Sequence, residues 1–172
     1  TITPKREIRE PEAATGLVSK KSVYGTKYMV AAATPYASQA GFSILEQGGS
    51  AADAVIAVQL LLTLVEPQSS GIGGGTFMLH WDNTKKKITT FDGRETAPAA
   101  ANSDLFLDKQ GKPLKWINAV VGGRSVGVPG LVATLKRAHE QYGTLPWGSL
   151  FKPAILLAEK GFVVSPRLEK LL

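Results

Sequence analysis

The sequence predicts an α+β protein in which helical segments flank one β-hairpin along the chain. Helical patterns occupy residues 35–66 and recur from about residue 130 onward. Between them, Phe77, Leu79 and Trp81 recur at every second position, which indicates a strand. A chain of 172 residues that is 44% hydrophobic and 20% charged can bury a core as one ordinary globular domain.

The first 27 residues differ in character from the rest of the chain. They are rich in charge and show no sustained hydrophobic period, so we expect an extended leader over residues 1–27 and a folded body over residues 28–172. The body is expected to open with a short buried strand, "YMVAAA", at residues 28–33. Because the chain begins with Thr1 rather than methionine, we also expect that a signal peptide has been removed.

Two helices are predicted next, each with its own start signal. Thr34 is a candidate N-cap before Pro35 at the first helical position, and Gly48-Gly49 should end that helix. Ser50 with Asp53 three positions later resembles a capping box.

The second helix is apolar on nearly every side and should end before Pro67. We therefore expect it to be buried all round, between layers of structure. Its apolar run falls short of the ~20 residues of a membrane span and contains Asp53, Gln59 and Thr63, so no membrane span is predicted.

The hairpin and the later helices follow from equally local patterns. A short polar connection from Asp82 to Lys87 leads into a second strand at Ile88–Phe91. Residues 99–128 are mixed, with a short helix expected near Asp104–Leu107. Three further helices are predicted. The first lies in "GLVATLKRAHEQYG" and ends at Gly143, and the second lies in "PAILLAEKG", with Pro153 in its first turn and Gly161 as C-cap. The third lies in "SPRLEKLL" and is capped at Ser165. Because the last of these runs out on Leu171 and Leu172, we expect a further chain to cover it.

Composition removes several classes of function. Without cysteine there is neither a disulfide nor a thiolate zinc site. The net charge of +6 comes largely from the leader and from Lys85–Lys87 at the hairpin tip. No aromatic residues are interleaved with a basic face, so nucleic-acid binding is not predicted.

Three segments resemble active-site motifs, but their context in the sequence argues against each of them. The glycines of residues 71–75 lie between a helix and a strand, the reverse of a phosphate-binding loop, and indicate close backbone packing or a tight turn instead. His80 and His139 are interpreted as an ordinary strand residue and an exposed helix residue, so no metal and no Ser–His catalysis is predicted. Thr1 as an N-terminal nucleophile is disfavoured because Pro4 and dense charge follow it.

Arg94 is the one candidate binding residue. It follows the second strand in "FDGRE", where Gly93 permits unusual backbone angles and Asp92 and Glu95 flank the guanidinium. Such an arginine can present its planar fork to a carboxylate, with the acids holding it in place. The alternative is a structural ion pair with Asp92 or Glu95, which contributes little.

The motifs together resemble the N-terminal part of the large subunit of γ-glutamyltransferases. They are "MVAAATPYASQAGFSILEQGGSAADAVIAVQLLLTLVEPQSSGIGGGTFMLHWD", "DGRETAP", "SVGVPG" and "LPWGSLFKPAILLAEKGFVVS". The resemblance runs from about Tyr28 to the last residue. It implies part of a four-layer αββα N-terminal-nucleophile hydrolase, made as a self-cleaving precursor and completed by chain that is absent here.

The resemblance also implies the chemistry. The N-terminal threonine of the small subunit attacks the γ-glutamyl amide of glutathione or a related donor, and the γ-glutamyl group passes to water, an amino acid or a peptide. Arg94 is implied to pair with the donor's α-carboxylate, while no catalytic residue, metal or cofactor is expected in this chain. The implied partner is the small subunit from the same precursor, and the implied location is the bacterial periplasm or the exterior.

Several other functions are also compatible with these motifs. Within the family, a β-lactam side-chain acylase or a polyglutamate-processing enzyme would use the same architecture, because Arg94 suits any donor with a carboxylate. Outside it, the chain could be a non-catalytic binding or assembly module. A doubly wound nucleotide-binding domain fits the pattern of elements but not the placement of the glycines.

Overall fold

A computed structural model describes residues 21–171, which divide into two compact units. The first comprises the chain up to Gly71 and from Ala138 onward, and the second comprises Ile72–Arg137. The elements are α1 (Pro35–Glu46), α2 (Ala51–Val65), β1 (Phe77–Asp82), β2 (Lys87–Asp92), α3 (Trp116–Val120), α4 (Leu131–Tyr142), α5 (Lys152–Lys160) and α6 (Pro166–Leu171), with 3₁₀ turns at Gly123–Ser125 and Trp147–Phe151. The boundary between the units falls within α4.

Helices α1 and α2 begin where their capping residues predict. The hydroxyl of Thr34 accepts a hydrogen bond from Ala37 N at 3.3 Å, and Pro35 occupies the first turn. At α2, Ser50 Oγ accepts from Asp53 N at 3.1 Å while Asp53 Oδ2 accepts from Ser50 N at 2.9 Å. The predicted capping box is therefore confirmed, because both reciprocal bonds are present.

The core of the first unit lies where α1 and α2 pack against each other. Ala37 and Ala40 of α1 are buried with Leu61 and Val65 of α2, and residues of α5 pack against this cluster. Gly41 allows the close approach, since a Cβ there would lie 2.6 Å from the Cγ2 of Val58. Truncating a side chain buried in such a core typically costs about 2–5 kcal/mol.

The expectation that α2 is buried all round is wrong in part. Val55 is 47% exposed, whereas Ile56, Ala57 and Leu60 on the same helix are buried. Within the described part of the chain, one side of α2 therefore lacks a covering layer.

The strand predicted at residues 28–33 is absent, and this prediction is wrong. Residues 28–33 have neither helical nor strand structure. A β-strand needs a neighbour for its backbone hydrogen bonds, and the only strands among residues 21–171 pair with each other. Of the predicted leader, residues 1–20 lie outside the described region, and Lys21–Lys27 are exposed and without regular structure.

The predicted hairpin is confirmed in the second unit. Strands β1 and β2 are antiparallel, with Phe77 opposite Asp92 and Trp81 opposite Ile88. Asp82 Oδ1 closes the connecting turn by accepting from the backbone nitrogens of Thr84 and Lys85, each at 3.0 Å.

One face of this hairpin carries large apolar side chains that are exposed in the described residues. Phe77 is 69%, Leu79 75%, Trp81 53% and Ile88 59% exposed. Alternation along a strand places these side chains on one side, and an exposed apolar face of this kind is typical of an interaction surface.

The helix expected near Asp104–Leu107 is wrong, and a helix at Trp116–Val120 was not predicted. Asn102 Oδ1 accepts from Asp104 N at 3.0 Å, and Leu107 N donates to Asp104 O at 2.9 Å, which makes successive turns. Leu107 then forms a β-bridge with Pro113. The asparagine side chain stabilises a local turn in place of a helix.

The three later helices are confirmed as α4, α5 and α6. Gly161 ends α5 with a φ of 82°, a conformation that favours glycine. The hydroxyl of Ser165 caps α6 by accepting from Leu168 N at 3.1 Å. Among the residues that the structure describes, no helix is long and apolar enough to cross a membrane.

Candidate functional site

Arg94 lies two residues beyond the end of β2, and both flanking acids contact it. Its backbone nitrogen donates to Asp92 Oδ1 at 2.9 Å, and its Nη1 lies 3.5 Å from Glu95 Oε2. The side chain remains 71% exposed. Since a guanidinium has five N–H donors, one ion pair leaves most of the fork free to bind a carboxylate.

The backbone before Arg94 is fixed by Gly93, which continues the hairpin ladder. Gly93 N donates to Thr76 O at 2.9 Å, and Thr76 N donates to Gly93 O at 3.1 Å. A Cβ on Gly93 would clash with the hydroxyl of Thr134 and lie 3.0 Å from Gly130 O. Glycine is required at this position because the start of α4 packs directly against the end of β2.

Glu95 is held between two glycines. A Cβ on Gly127 would lie 2.8 Å from the Cβ of Glu95, and a Cβ on Gly75 would clash with its carboxylate. Glu95 Oε2 is inaccessible to solvent and accepts no hydrogen bond from residues 21–171, but it forms the ion pair with Arg94. The two glycines therefore set the position of the acid that orients the arginine.

The chain beyond Arg94 is tied to the segment before α4. Thr96 and Val128 form an isolated antiparallel bridge, with Val128 N donating to Thr96 O at 2.9 Å. Arg94 is thus fixed on both sides, at Gly93 and at Thr96. Pre-organisation of this kind reduces the entropy lost when a ligand is bound.

Two recesses of the second unit share Arg94 as a lining residue. One, of about 390 Å³, lies between β2 and α4, and we call it the β2–α4 recess; Arg94, Thr96, Thr134 and Arg137 line it. The other, of about 380 Å³, we call the Arg124 recess; its lining includes Arg94, Glu95, Pro98, Phe106, Arg124 and Val126. The two recesses together are lined by three arginines, Arg94, Arg124 and Arg137, of which only Arg94 was predicted from the sequence.

The glycine-rich segment before β1 packs against the start of α4 and makes no phosphate-binding loop. Gly74 O accepts from Gly130 N at 3.2 Å and from Leu131 N at 3.1 Å. The interpretation of this segment as close backbone packing is confirmed at Gly74 and at Gly75, which contacts Glu95.

The two histidines differ in their surroundings. His80 lies in β1, as predicted. The interpretation of His139 as exposed is wrong, because its side chain is only 14% exposed. Its Nε2 lies 2.7 Å from Leu145 O and its ring contacts Trp147, because the chain turns back over α4 at Gly143.

No group of three His, Cys, Asp or Glu side chains suited to a metal ion occurs within residues 21–171. Thr1, the disfavoured nucleophile, lies outside that range. The glycines around Glu95 and the arginines of the two recesses were not identified from the sequence. Their role depends on contacts between segments 19 or more positions apart, although "SVGVPG" contains Gly127 and Gly130.

Comparison with known proteins extends the resemblance noted in the sequence. The Gamma-glutamyltranspeptidase family matches residues 37–172. A glutathione hydrolase proenzyme of Bacillus subtilis (strain 168) is 46% identical over 140 residues, which cover 81% of this chain and 24% of the relative. The chain thus spans about a quarter of the length of that relative.

Solved structures similar to this chain include γ-glutamyltranspeptidases. A γ-glutamyltranspeptidase of Helicobacter pylori superposes with a TM-score of 0.80 at 36% identity, over 86% of this chain and 42% of that one. A cephalosporin acylase of Bacillus halodurans superposes with a TM-score of 0.75 at 32% identity, over 94% of this chain and 29% of that one. The match over residues 37–172 covers well over half of the sequence, and the chain belongs to the γ-glutamyltranspeptidase family.

Proposed function

We propose that this chain is the N-terminal part of the large subunit of a γ-glutamyltransferase that cleaves glutathione and related γ-glutamyl donors. The observation that carries the proposal is Arg94, whose backbone is held at the end of a strand and whose exposed guanidinium has Glu95 as its one ion-pair partner among residues 21–171. Membership in a family whose relatives include glutathione hydrolases supports it.

The role proposed for Arg94 is to bind the α-carboxylate of the donor. A charge-assisted hydrogen bond contributes about 1.5–3 kcal/mol. A bidentate pair also fixes the orientation of the ligand, since the planar fork matches a carboxylate. The γ-carbonyl of the donor would then be held at a defined distance from Arg94.

The proposed reaction uses a threonine at the N-terminus of the small subunit. Its hydroxyl oxygen attacks the γ-carbonyl carbon while its own amine takes the proton, and the amide C–N bond breaks as that proton passes to the leaving amine. The resulting γ-glutamyl ester is cleaved by water, or by the amine of an acceptor amino acid or peptide. Arg94 binds the same carboxylate in both steps.

The proposed architecture is a four-layer αββα sandwich completed by further chain of the same precursor. The apolar face of the hairpin, formed by Phe77, Leu79, Trp81 and Ile88, supports this because it offers a surface for a second sheet. The proposal includes a periplasmic or secreted location, which cell fractionation would test.

A second candidate is a β-lactam side-chain acylase of the same family. The likeness to a cephalosporin acylase of Bacillus halodurans favours it, and Arg94 suits any acyl donor that ends in a carboxylate. A polyglutamate-processing enzyme or a non-catalytic assembly module would have the same fold.

The test is made on the full-length protein. Intact-mass and N-terminal sequence analysis should reveal a second polypeptide that begins with threonine, and the purified protein should release glutamate from glutathione. Release of glutaryl groups from a glutaryl-cephalosporin without action on glutathione would favour the acylase. A single uncleaved chain without activity on either donor would favour the assembly module and refute the proposal.

A further inference from the structure

We propose that Arg124 binds a second carboxylate of the donor, the one at the far end of its leaving group, while Arg94 holds the carboxylate of the glutamyl end. This inference rests on the proposed function and deepens it. It assigns the Arg124 recess to the leaving peptide and makes Arg124 a specificity-determining residue.

The guanidinium of Arg124 has a defined position. Its Nη1 donates to Leu105 O at 2.8 Å, across 19 positions of the chain. The segment that carries it is held by Ser125, whose hydroxyl donates to Val120 O at 2.8 Å. Leu105 is itself in a turn, with its nitrogen donating to Asn102 O at 3.2 Å. Both ends of the Arg124–Leu105 bond are therefore anchored.

The charge of Arg124 is not compensated within the described part of the chain. No carboxylate among residues 21–171 lies within ion-pair distance of it, although Glu95 lines the same recess and pairs with Arg94. Leu105 O is a neutral acceptor and occupies one of the five donors. An arginine that is always charged, oriented and unpaired is suited to bind an anion.

The lining and volume of the recess suit a short peptide with a charge at each end. Arg94 and Arg124 both line it, and Pro98, Phe106 and Val126 add apolar surface. Its volume of about 380 Å³ lies within the range of small-molecule sites, roughly 300–1,000 Å³. A γ-glutamyl peptide such as glutathione has two terminal carboxylates and an uncharged middle, whereas a γ-glutamyl anilide has only the carboxylate of its glutamyl end.

The experiment compares two donors that differ in one group, glutathione and the analogue whose glycine carboxylate is converted to an amide. Hydrolysis is measured with the full two-subunit protein and with Arg124→Gln, which keeps hydrogen-bonding capacity but removes the charge. We expect Arg124→Gln to lower kcat/KM for glutathione about tenfold and to leave kcat/KM for the amide within about twofold. The amide also serves as the folding control, because a misfolded variant would lose activity on both donors.

Two further variants test whether the effect is specific to Arg124. Lys109→Gln removes a positive charge from an exposed turn of the same unit and should leave both donors unchanged. Arg137→Gln removes the arginine of the β2–α4 recess. A selective loss on glutathione in Arg137→Gln but not in Arg124→Gln would overturn the assignment to the Arg124 recess.

The remaining outcomes are equally decisive. Equal loss on both donors in Arg124→Gln would mean that Arg124 only supports the loop, and the proposal would fail while the proposed function stood. Loss confined to transfer onto a dipeptide acceptor, with hydrolysis of glutathione unchanged, would assign the recess to the acceptor and refute the leaving-group role. A wild-type protein that hydrolyses neither donor would refute the proposed function and this inference together.

Discussion

Thr144 donates two hydrogen bonds to the same oxygen of Asp53, one from its backbone nitrogen and one from its hydroxyl, each 2.9 Å long. Leu145 N donates to that oxygen at 3.2 Å and Ser50 N at 2.9 Å. Asp53 is fully buried. One carboxylate thereby connects the start of α2 to the segment after α4, across 91 positions of the chain.

Asp53→Asn should lower the free energy of unfolding by about 2–4 kcal/mol, because four hydrogen bonds would lose their buried, charged acceptor. Chemical denaturation of the purified protein measures this. Glu46→Gln, an exposed acid of α1 in the same unit, is the matched control and should change stability by less than about 0.5 kcal/mol. A change for Asp53→Asn as small as that of the control would refute the role of Asp53 as a connector.

The stabilisation from Asp53 should depend on pH in a defined direction. Burial acts to raise the pKa of Asp53, but the hydrogen bonds donated by Thr144, Ser50 and Leu145 outweigh it and hold the pKa below its ordinary value. A carboxyl with a lowered folded-state pKa contributes stability above its unfolded pKa of about 3.9, and this is lost as pH falls through the folded pKa.

The difference in stability between wild type and Asp53→Asn should therefore be constant at neutral pH and shrink below about pH 4. Denaturation curves of both proteins between pH 7 and roughly pH 3 would show this. A difference that grows on acidification would mean that the pKa of Asp53 is raised in the folded state, contrary to the hydrogen bonds described.

Gly93→Ala should destabilise the second unit and impair donor binding together, because its Cβ would clash with Thr134 and force β2 away from α4. We expect a loss of about 1–3 kcal/mol, typical of overpacking. Gly73→Ala is the control, since a Cβ there meets no described atom within 4 Å. Thermal unfolding of the two variants should separate by several degrees, and coincident curves would contradict the close packing of β2 and α4.

The caps of α1 and α2, made by residues three positions apart, could be predicted from the sequence, whereas contacts between distant segments could not. Thr34 with Ala37 and Ser50 with Asp53 form their caps within one turn, so the start of each helix follows from the local pattern. Residues 28–33 have strand-like composition but no strand partner in the described chain, and strand formation depends on such a partner.

The candidate site divides in the same way. Arg94 was identified because Asp92, Gly93 and Glu95 adjoin it in the sequence. Glu95 packs between Gly75 and Gly127, which lie 20 and 32 positions away from it in the sequence. No local sequence pattern predicts such a contact. Tertiary packing of the backbone, rather than propensity, sets this part of the site.

Gly127→Ala should displace Glu95 and so disturb Arg94, because a Cβ would lie 2.8 Å from the Cβ of Glu95. In the full-length protein we expect KM for γ-glutamyl donors to rise about three- to tenfold, since an arginine without its orienting acid loses pre-organisation. Steady-state kinetics beside Gly73→Ala measures the effect. If KM rises equally in both variants, the packing of Glu95 against Gly127 does not affect donor binding.

Arg94→Lys should raise KM for γ-glutamyl donors by about tenfold, and Arg94→Ala by more, with kcat changed less than KM. Lysine keeps the charge but loses the planar fork, and a charge-assisted hydrogen bond of about 1.5–3 kcal/mol corresponds to roughly 10- to 150-fold in affinity. A rise in KM at nearly constant kcat indicates binding shared by ground state and transition state.

A donor that lacks the α-carboxylate, such as a 4-aminobutyryl amide, provides the matched control for these variants. Wild type and Arg94→Lys should cleave it with similar kcat/KM, because the group that Arg94 binds is missing from it. Unchanged KM for γ-glutamyl donors in Arg94→Ala would show that the guanidinium serves its ion pair with Glu95 and does not bind the donor. An exposed ion pair of that kind contributes at most about 1 kcal/mol, so the two roles predict clearly different kinetics.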